Sequence, residues 1–397
     1  MERQNFVMFC QQDWHVGIGT NARSLAKEFA KHHAVLYVNT PLDVNSVLRG
    51  HRRPEVRHKL RVLAGRAPAL APAGPDLWVW TPGALCLSLN WLPAGRVFAA
   101  LNRFNGWLLA RSIRKAARAV GFEQYVLVQD GLVFQGLALK PLLRPRRFVY
   151  YLRDYMLAVP YFQRHGPAVE QGLLARADVV AANSAYLQDY ARQTNPRSYD
   201  IGQGCDLAQA PPPVPGPAPA DLAAVPGRRI GYVGYLTHLR LDLDLLLTIA
   251  HHRPDWSLVL VGPEDDVFAR SALHQLPNVY FLGGKAPAQL PAYLAHFDVC
   301  INPQVVNDLT MGNYPLKIDE YLFMGKPVVA THTRTMELFA GHVHLAHSPA
   351  EWLLLLERAL AEEAGNPQLA PARTRFAQAH TWAASAAKLY QALDALP

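Results

Sequence analysis

The strongest constraint on the fold is an alternation of short apolar segments with helical patterns along the first half of the chain. The apolar segments are four or five residues long and are rich in branched and aromatic residues; they cover residues 6–10, 34–38, 125–128, 148–152 and 179–182. Uniformly apolar strands separated by amphipathic helices are typical of parallel sheets buried on both faces. The first half therefore predicts an α/β domain.

A proline-rich stretch separates this half from a second one with the same pattern. The sequence PPPVPGPAPADLAAVPG falls within 206–227, and prolines cannot donate the hydrogen bonds of a sheet. Strand-like segments then return at 229–233, 257–261, 279–282, 299–301 and 327–330. Since 397 residues exceed what one core usually organises, we predict a domain over 1–205, a linker over 206–227 and a second domain over 228–374.

Charge is unevenly distributed in the first half. The net charge is +8, and basic residues concentrate in 49–61 and 103–118. Two interpretations remain open: solvated surfaces, or contact with anionic lipid headgroups or a phosphorylated acceptor. Nucleic acid is not an expected partner, because aromatic residues are not interleaved as a stacking platform.

The cysteines and the N-terminal segment indicate the compartment. Cys10, Cys86, Cys205 and Cys300 are scattered without metal-ligand or redox spacing, which predicts reduced thiols. No signal peptide is visible and no apolar run approaches the ~18 residues of a spanning helix. We expect a cytoplasmic protein, whose membrane contact, if it has one, is peripheral at the inner face.

The segment GNYPLKIDEYLFMGKPVVAT, residues 312–331, carries the clearest chemical signal. It predicts a helix that begins near residues 316–318, and a helix N-terminus attracts phosphate through its unpaired amides and its dipole. Lys317 adds a full charge there, flanked by Pro315, Leu316 and Ile318. Glu320 lies one turn on, where its carboxylate can accept ribose hydroxyls. The alternative is a Lys317–Glu320 ion pair on an exposed helix.

The second half resembles the retaining glycosyltransferases of the GT-B fold, in particular glycosyltransferase family 4 and its teichuronic-acid-biosynthesis-like relatives. The similarity spans most of 179–331 and is carried by separated segments, among them PLKIDEYLFMGKPVVAT, RRIGYVGYLTHLRLDLDLL, RPDWSLVLVGP and NVYFLGGKAPAQLPAYLAHFDVCINP. It implies two Rossmann-like domains facing a central cleft. It also implies that a C-terminal helix, 375–397, returns to the first domain.

The resemblance also implies roles for individual residues. Gly234 would let its loop approach a donor diphosphate, and Arg240 would bind that diphosphate together with Lys317 and Glu320. Gly283 and Lys285 fall where the nucleoside base packs in the family.

Two departures from the family pattern concern the donor site. Gly312 stands where the family commonly has a glutamate, which leaves the sugar unspecified. Tyr235 stands where an arginine often follows the glycine, so Arg240 and Lys317 would neutralise the diphosphate between them.

In the first domain, Gly17 and Gly19 precede a helix and form a loop that can approach donor phosphate, although turn formation explains them equally well. Asp154 follows a buried strand, where α/β sheets place ligands, and we predict that it orients or deprotonates the acceptor hydroxyl. A helix N-cap is the alternative role. His15 is a further acceptor-binding candidate.

The predicted function is transfer of a sugar from a nucleoside diphosphate, UDP being favoured, to a hydroxyl of a glycan or lipid-linked acceptor with retention, in cell-surface polysaccharide assembly. The alternatives are a sugar-nucleotide epimerase or hydrolase, and an inactive nucleotide-binding subunit. We expect no cofactor and no metal. The histidines 342, 344 and 347 alternate with apolar residues, which predicts a short strand with solvent-facing histidines rather than a zinc site.

Overall fold

The computed structural model describes residues 2–15, 20–205, 216–366 and 368–397. The chain divides into two compact units, Met1–Gly202 with Trp382–Pro397 and Gln203–Thr381. Residues 206–215 of the predicted linker lie outside the described part of the chain. The rest of that segment, 216–227, belongs to the second unit and includes a short helix, Ala220–Ala223.

Unit 1 is built on a parallel sheet with one antiparallel edge strand. The described strands of the unit are β1 (Asn5–Cys10), β2 (Ala34–Val38), β3 (Leu42–Asp43), β4 (Leu70–Gly74), β5 (Leu77–Trp80), β6 (Leu85–Cys86), β7 (Val126–Asp130), β8 (Arg147–Leu152), β9 (Val179–Ala182) and β10 (Ser198–Asp200). The sheet order is β10-β9-β8-β7-β1-β2-β5-β4, only β4 being antiparallel to its neighbour, while β3 and β6 form a separate ladder. The chain order therefore reverses between β1 and β7.

Unit 2 repeats this architecture with a smaller, wholly parallel sheet. Its described strands are β11 (Arg228–Val233), β12 (Trp256–Val261), β13 (Val279–Phe281), β14 (Val299–Asn302), β15 (Val328–Thr331) and β16 (His344–Ala346). They are arranged in the order β13-β12-β11-β14-β15-β16, so the reversal lies between β11 and β14. The predicted α/β class is confirmed.

Helices cover both faces of each sheet. In chain order they are α1 (Asn21–Phe29), α2 (Val44–Gly50), α3 (Pro54–Leu63), α4 (Arg96–Ala119), α5 (Leu139–Leu143), α6 (Gly166–Arg176), α7 (Ala185–Arg192), α8 (Ala220–Ala223), α9 (Leu243–His252), α10 (Leu290–Ala295), α11 (Leu316–Phe323), α12 (Pro349–Gly365), α13 (Leu369–Gln378) and α14 (Trp382–Asp394). In unit 1, α4, α6 and α7 cover one face and α1 and α14 the other. In unit 2, α10 and α11 cover one face and α9 and α12 the other. Burial on both faces explains the uniformly apolar strand sequences.

Local sequence signals fix several of these elements. Thr20 caps α1 by accepting a hydrogen bond from the Arg23 amide, and Asp242 caps α9 through the Leu245 amide. Gly231 in β11 lies against the Phe297 ring, where an added Cβ would come within 2.0 Å of a ring carbon. Only glycine permits that close packing of α10's C-terminal turn on the sheet.

The C-terminal segment differs from the single helix predicted over 375–397. It contains the end of α13 and all of α14, with a break at 379–381. The carbonyl of His380 accepts a hydrogen bond from the Cys205 amide, and the His380 ring is hydrogen-bonded to Asp319. These tertiary contacts hold His380 in a position that a continuous helix would not give it. Helix α14 belongs to unit 1 and packs there through Leu389 and Leu393.

In the described residues no helix is both long enough and apolar enough to cross a membrane.

Candidate active site

Helix α11 is held against the end of strand β11 by one buried tyrosine. The Tyr321 hydroxyl accepts from the Val233 amide at 2.9 Å and donates to the Val233 carbonyl at 3.3 Å. The hydroxyl stays protonated because burial raises its pKa well above the usual value. This pair of bonds, made from the second turn of α11, fixes the helix beside the end of β11.

The fixed helix places Lys317 over the glycine loop. The Lys317 amine donates to the Tyr232 hydroxyl at 2.6 Å and lies 4.3 Å from the centroid of that ring. Gly234 has φ of +148°, and a Cβ there would stand 3.2 Å from Lys317 Nζ. Gly234 and Lys317, predicted from separate segments, are therefore neighbours.

A cavity of about 220 Å³ opens next to this pair. Its walls come from three segments: residues 240–241 after β11, residues 302–304 at the end of β14, and residues 313–317 leading into α11. Arg240 and Lys317 both line it, as do Pro315 and Leu316. The cavity thus lies at the carboxyl end of the sheet where strand order reverses, which is the usual ligand position in an open α/β sheet.

The cavity is electropositive. In the described part of the chain neither Arg240 nor Lys317 forms an ion pair with a carboxylate, and Lys317 contacts Tyr232 rather than Glu320. The amides of Leu316 and Ile318 donate to the carbonyls of Tyr314 and Pro315, so these two helix-start amides are already used in the turn. The charge available to an anion here comes chiefly from the two side chains.

A buried acid lies behind the cavity wall. Asp319 is fully buried and accepts from the Tyr314 hydroxyl at 2.7 Å, and His380 Nδ1 lies 2.6 Å from its other oxygen. Burial raises the pKa of Asp319, and the contacts with His380 and Tyr314 partly oppose that rise. Because Tyr314 also lines the cavity, this network connects the turn before α11 to the end of α13.

Other residues predicted for the donor lie outside the cavity lining. Tyr235 follows Gly234 and is 55% exposed, and Glu320 is half-buried on α11. Gly283 is exposed, and Lys285 is ion-paired with Asp221 at 2.7 Å. The structure does not bring Gly283 or Lys285 together with Arg240 and Lys317 in the described cavity.

In unit 1, Asp154 lies just beyond β8 and is half-exposed. Its carboxylate accepts from Arg153 at 3.1 Å, and Arg153 also donates to the fully buried Asp130 at 2.7 Å. The capping residue of the next short helix is Tyr155 rather than Asp154. His15 is exposed in a turn, and Gly17 and Gly19 lie outside the described residues.

A second, polar cavity of about 520 Å³ lies at the sheet reversal of unit 1. Residues following β1, β2 and β7 line it, including Gln11, Thr40 and Leu132. On its wall Lys59 is ion-paired with Asp13 at 2.6 Å and donates to Thr40 at 2.9 Å. Asp154 and His15 are not part of the lining of this polar cavity.

Sequence reasoning missed several of these residues. Tyr232 was hidden inside an apolar strand, and its hydroxyl gains a role only through Lys317. Asn302 and Gln304 line the electropositive cavity. Their position at the end of a predicted buried strand is a sequence signal for a ligand site. The polar cavity of unit 1 draws mainly on residues 40–105, a region without recognised motifs, although Gln11 and Thr40 follow predicted strands and carried the same signal.

Of the three histidines predicted to face solvent, His342 and His344 are half-buried, whereas His347 is exposed. His344 lies 2.7 Å from Glu362, and His342 stacks on Phe376 at 4.1 Å between ring centroids. These contacts half-bury both rings, because helices α12 and α13 pack against this edge of the sheet. Among the described residues no group of three or more His, Cys, Asp or Glu side chains is arranged to hold a metal ion.

Comparison with known proteins bears on the unit that contains the electropositive cavity. Residues 227–361 match the family model described as glycosyl transferases group 1, a range that includes Gly234, Arg240 and Lys317. The chain carries a glycosyl transferases group 1 domain. Its cavity at the β11–β14 reversal is therefore part of a glycosyltransferase domain.

One curated relative and several solved structures extend this comparison. The glycosyltransferase TuaH of Bacillus subtilis strain 168, named for teichuronic acid biosynthesis, is 26% identical over 231 residues, which are 54% of this chain and 56% of TuaH. The chain thus matches little more than half the length of that relative.

The structural matches cover the whole chain. Sucrose-phosphate synthase from Thermosynechococcus elongatus superposes with a TM-score of 0.69 at 18% identity, and Anabaena HepE in complex with UDP does so with 0.67 at 17%; both matches cover 100% of each chain. At such identities the matches report the fold, and they confirm the GT-B fold with its two Rossmann-like domains.

Proposed function

We propose that this protein transfers a sugar from a nucleoside diphosphate donor to an acceptor hydroxyl, with retention of anomeric configuration, and that UDP is the nucleotide of the donor. One observation carries the proposal: Arg240 and Lys317 line a single cavity at the sheet reversal of the group 1 domain without carboxylate partners in the described residues. Two unpaired cations in a cavity of this size suit a diphosphate.

The proposed chemistry follows from where charge develops. As the bond between the sugar and the β-phosphate breaks, negative charge grows on the departing diphosphate. Fixed cations aimed at that charge lower the barrier more than they stabilise the bound substrate. We assign this role to Lys317, held rigidly by Tyr232, and to Arg240, and we propose that no divalent metal is required.

Support for UDP comes from the structural neighbours. Anabaena HepE has been crystallised with UDP, with UDP and glucose, and with UDP-glucose, and the match to the UDP complex covers 100% of this chain. The proposal places the diphosphate of the same nucleotide next to Gly234, whose lack of a side chain leaves room beside Lys317.

For the acceptor we propose a glycan or lipid-linked glycan of cell-surface polysaccharide assembly, consistent with the naming of TuaH. Asp154 is our proposed residue for orienting or deprotonating the acceptor hydroxyl. Its contact with Arg153 at 3.1 Å would hold the carboxylate in a fixed direction.

We further propose peripheral contact with anionic membrane, on the evidence of helix α4. The helix contains six basic residues and no acidic one, and its exposed side carries Val97, Phe104 and Trp107. The Phe104 and Trp107 rings stack at 6.0 Å, and Arg111 lies 5.9 Å from the Trp107 ring. Aromatic and basic side chains on one exposed face suit the headgroup region of a bilayer.

Titration calorimetry and thermal shift with UDP, ADP, GDP and TDP, with and without EDTA, test the donor assignment. We expect UDP to bind and stabilise the protein in the presence of EDTA, and absence of UDP binding would refute the assignment. Incubation with UDP-sugars then separates the alternatives. Sugar interconversion or nucleotide release without acceptor would indicate an epimerase or hydrolase, and binding without turnover would indicate an inactive subunit.

A further inference from the structure

An apolar cavity of about 660 Å³ in unit 1 has no role in the donor chemistry. It lies between the first half of α4, helix α5 and helix α6. Phe98 forms part of its wall with its ring stacked on buried His165 at 3.5 Å between centroids. Ala99, Leu137 and Val169 supply further apolar surface. Its size lies in the range of small-molecule sites.

The charged residues at this apolar cavity are all arginines. Arg103, Arg164 and Arg176 line it, and its lining contains no Asp or Glu. Arg164 donates to the carbonyls of Asn90 and Trp91, and Arg176 donates to the carbonyl of Gly172. In the described part of the chain none of the three is ion-paired with a carboxylate, so their charges are available to an anion. An apolar interior edged by unpaired cations suits an anionic amphiphile.

The apolar cavity adjoins the polar cavity at the sheet reversal of unit 1. Asn102 lines both, and its side-chain amide donates to the Phe134 carbonyl at 2.7 Å, Phe134 being part of the polar lining. Arg164 of the apolar cavity is hydrogen-bonded to Asn90 of the polar one. A single ligand can therefore place an aliphatic chain in the apolar cavity, an anionic group beside Arg164, and a hydroxyl-rich head group in the polar cavity.

We infer that the acceptor is a sugar joined through a phosphate to an aliphatic chain, and that this chain lies in the apolar cavity. That this ligand is the acceptor rests on the proposed function. The binding site for its aliphatic chain, called the chain site below, does not depend on that function. Inserting each methylene of the chain into the cavity should raise affinity roughly fourfold until the cavity is filled.

Calorimetric titration of the full chain with octyl and decyl phosphate, below their micelle concentrations, tests the site. We expect decyl phosphate to bind roughly fifteenfold more tightly than octyl phosphate, as two added methylenes require, and inorganic phosphate and decanol to bind far more weakly. Equal binding of inorganic phosphate and decyl phosphate would overturn the inference.

Two neighbouring exposed alanines on α4 provide matched variants. Ala99 lines the apolar cavity and Ala100 does not. Ala99→Trp should reduce decyl phosphate affinity at least tenfold, whereas Ala100→Trp should leave it within twofold. Arg103→Gln should weaken binding several-fold, and Arg111→Gln, on the same helix away from the cavity, should not. If Ala99→Trp bound the probe like Ala100→Trp, the chain site would be refuted.

UDP binding, measured on the same samples, keeps the two proposals apart. Both tryptophan variants should bind UDP like the original chain, and a circular dichroism spectrum and Tm close to those of the original chain show that unit 1 folds. Loss of decyl phosphate binding with UDP binding intact supports the chain site. A protein that binds decyl phosphate as expected but not UDP would refute the donor assignment and leave the chain site standing.

Discussion

Lys317 donates a hydrogen bond to the Tyr232 hydroxyl at 2.6 Å, and this contact joins the first turn of α11 to strand β11. It holds the amine beside Gly234 and at the edge of the cavity that Arg240 also lines. A lysine amine is ordinarily mobile, since its stem has four rotatable bonds. Here its position is restricted before any ligand arrives, which is the condition for effective charge stabilisation.

Removing the Lys317 charge should abolish most turnover. We expect Lys317→Ala to lower kcat for sugar transfer by about 10²–10³-fold, the range seen when one fixed transition-state donor is deleted. Tyr232→Phe keeps the lysine and the ring but removes the hydroxyl, so we expect a smaller loss, about tenfold. Steady-state kinetics of both variants provide the measurement, and near-normal transfer by Lys317→Ala would place the diphosphate elsewhere.

Adding one methyl group at Gly234 should weaken nucleotide binding. Its φ of +148° is strained for alanine, and the new Cβ would lie 2.9 Å from Tyr232 Oη and 3.2 Å from Lys317 Nζ. We expect Gly234→Ala to reduce UDP affinity tenfold or more in calorimetry.

Gly341→Ala is the control for that substitution. Gly341 also has positive φ, +86°, but an added Cβ would meet nothing within 4 Å. This variant should lose stability to backbone strain and still bind UDP normally. Equal UDP affinity in the two variants would contradict the proposed position of the nucleotide.

Neutralising the first basic run should weaken membrane binding. Arg52, Arg53 and Arg57 are exposed at the start of α3, and each basic residue near an anionic surface contributes about 1 kcal/mol. The triple change to Gln should therefore reduce partitioning to phosphatidylglycerol vesicles by about a hundredfold in sedimentation assays. A triple change of the exposed Arg270, Arg358 and Arg375 to Gln is the charge-matched control. Unchanged partitioning of the first variant would exclude that run from the membrane contact.

Stability should depend on pH through Glu170. This carboxyl is fully buried and accepts hydrogen bonds from Tyr150 at 3.2 Å and Tyr190 at 2.7 Å. Burial raises its pKa, an effect that the two tyrosine bonds only partly oppose. The folded state therefore holds the proton more tightly than the unfolded state, whose pKa is about 4.3. The stabilisation that comes from Glu170 is therefore complete when the pH is below the unfolded-state pKa, and it is lost as the pH rises through the folded-state pKa.

Glu170→Gln should flatten this part of the stability profile. We expect the variant's Tm, relative to the original chain, to improve as pH is raised from 4 to 7. Glu123→Gln, which changes an exposed carboxyl, should follow the original curve. A Glu170→Gln difference in Tm that stays constant across this range would show that Glu170 does not titrate as inferred.

The sequence alone indicated the alternation of the central sheet strands with helices and singled out the segment at 312–331, but it did not indicate strands β3–β6 or β10. Strands that are buried on both faces have uniformly apolar sequences, and a helix that is followed by Gly-Lys-Pro has a recognisable C-terminal end. Both signals can be read because each involves only a few neighbouring residues. Lys317 and Gly234 could be identified in this way, each within its own segment.

The tertiary structure alone decided which of these groups meet. Tyr232 contacts Lys317 because Tyr321 fixes α11 against Val233, and Lys285 pairs with Asp221 outside the lining of the electropositive cavity. The apolar cavity of unit 1 exists because α4, α5 and α6 pack without filling the space between them. Such contacts join residues far apart in the chain, and their energies depend on packing that no local pattern records.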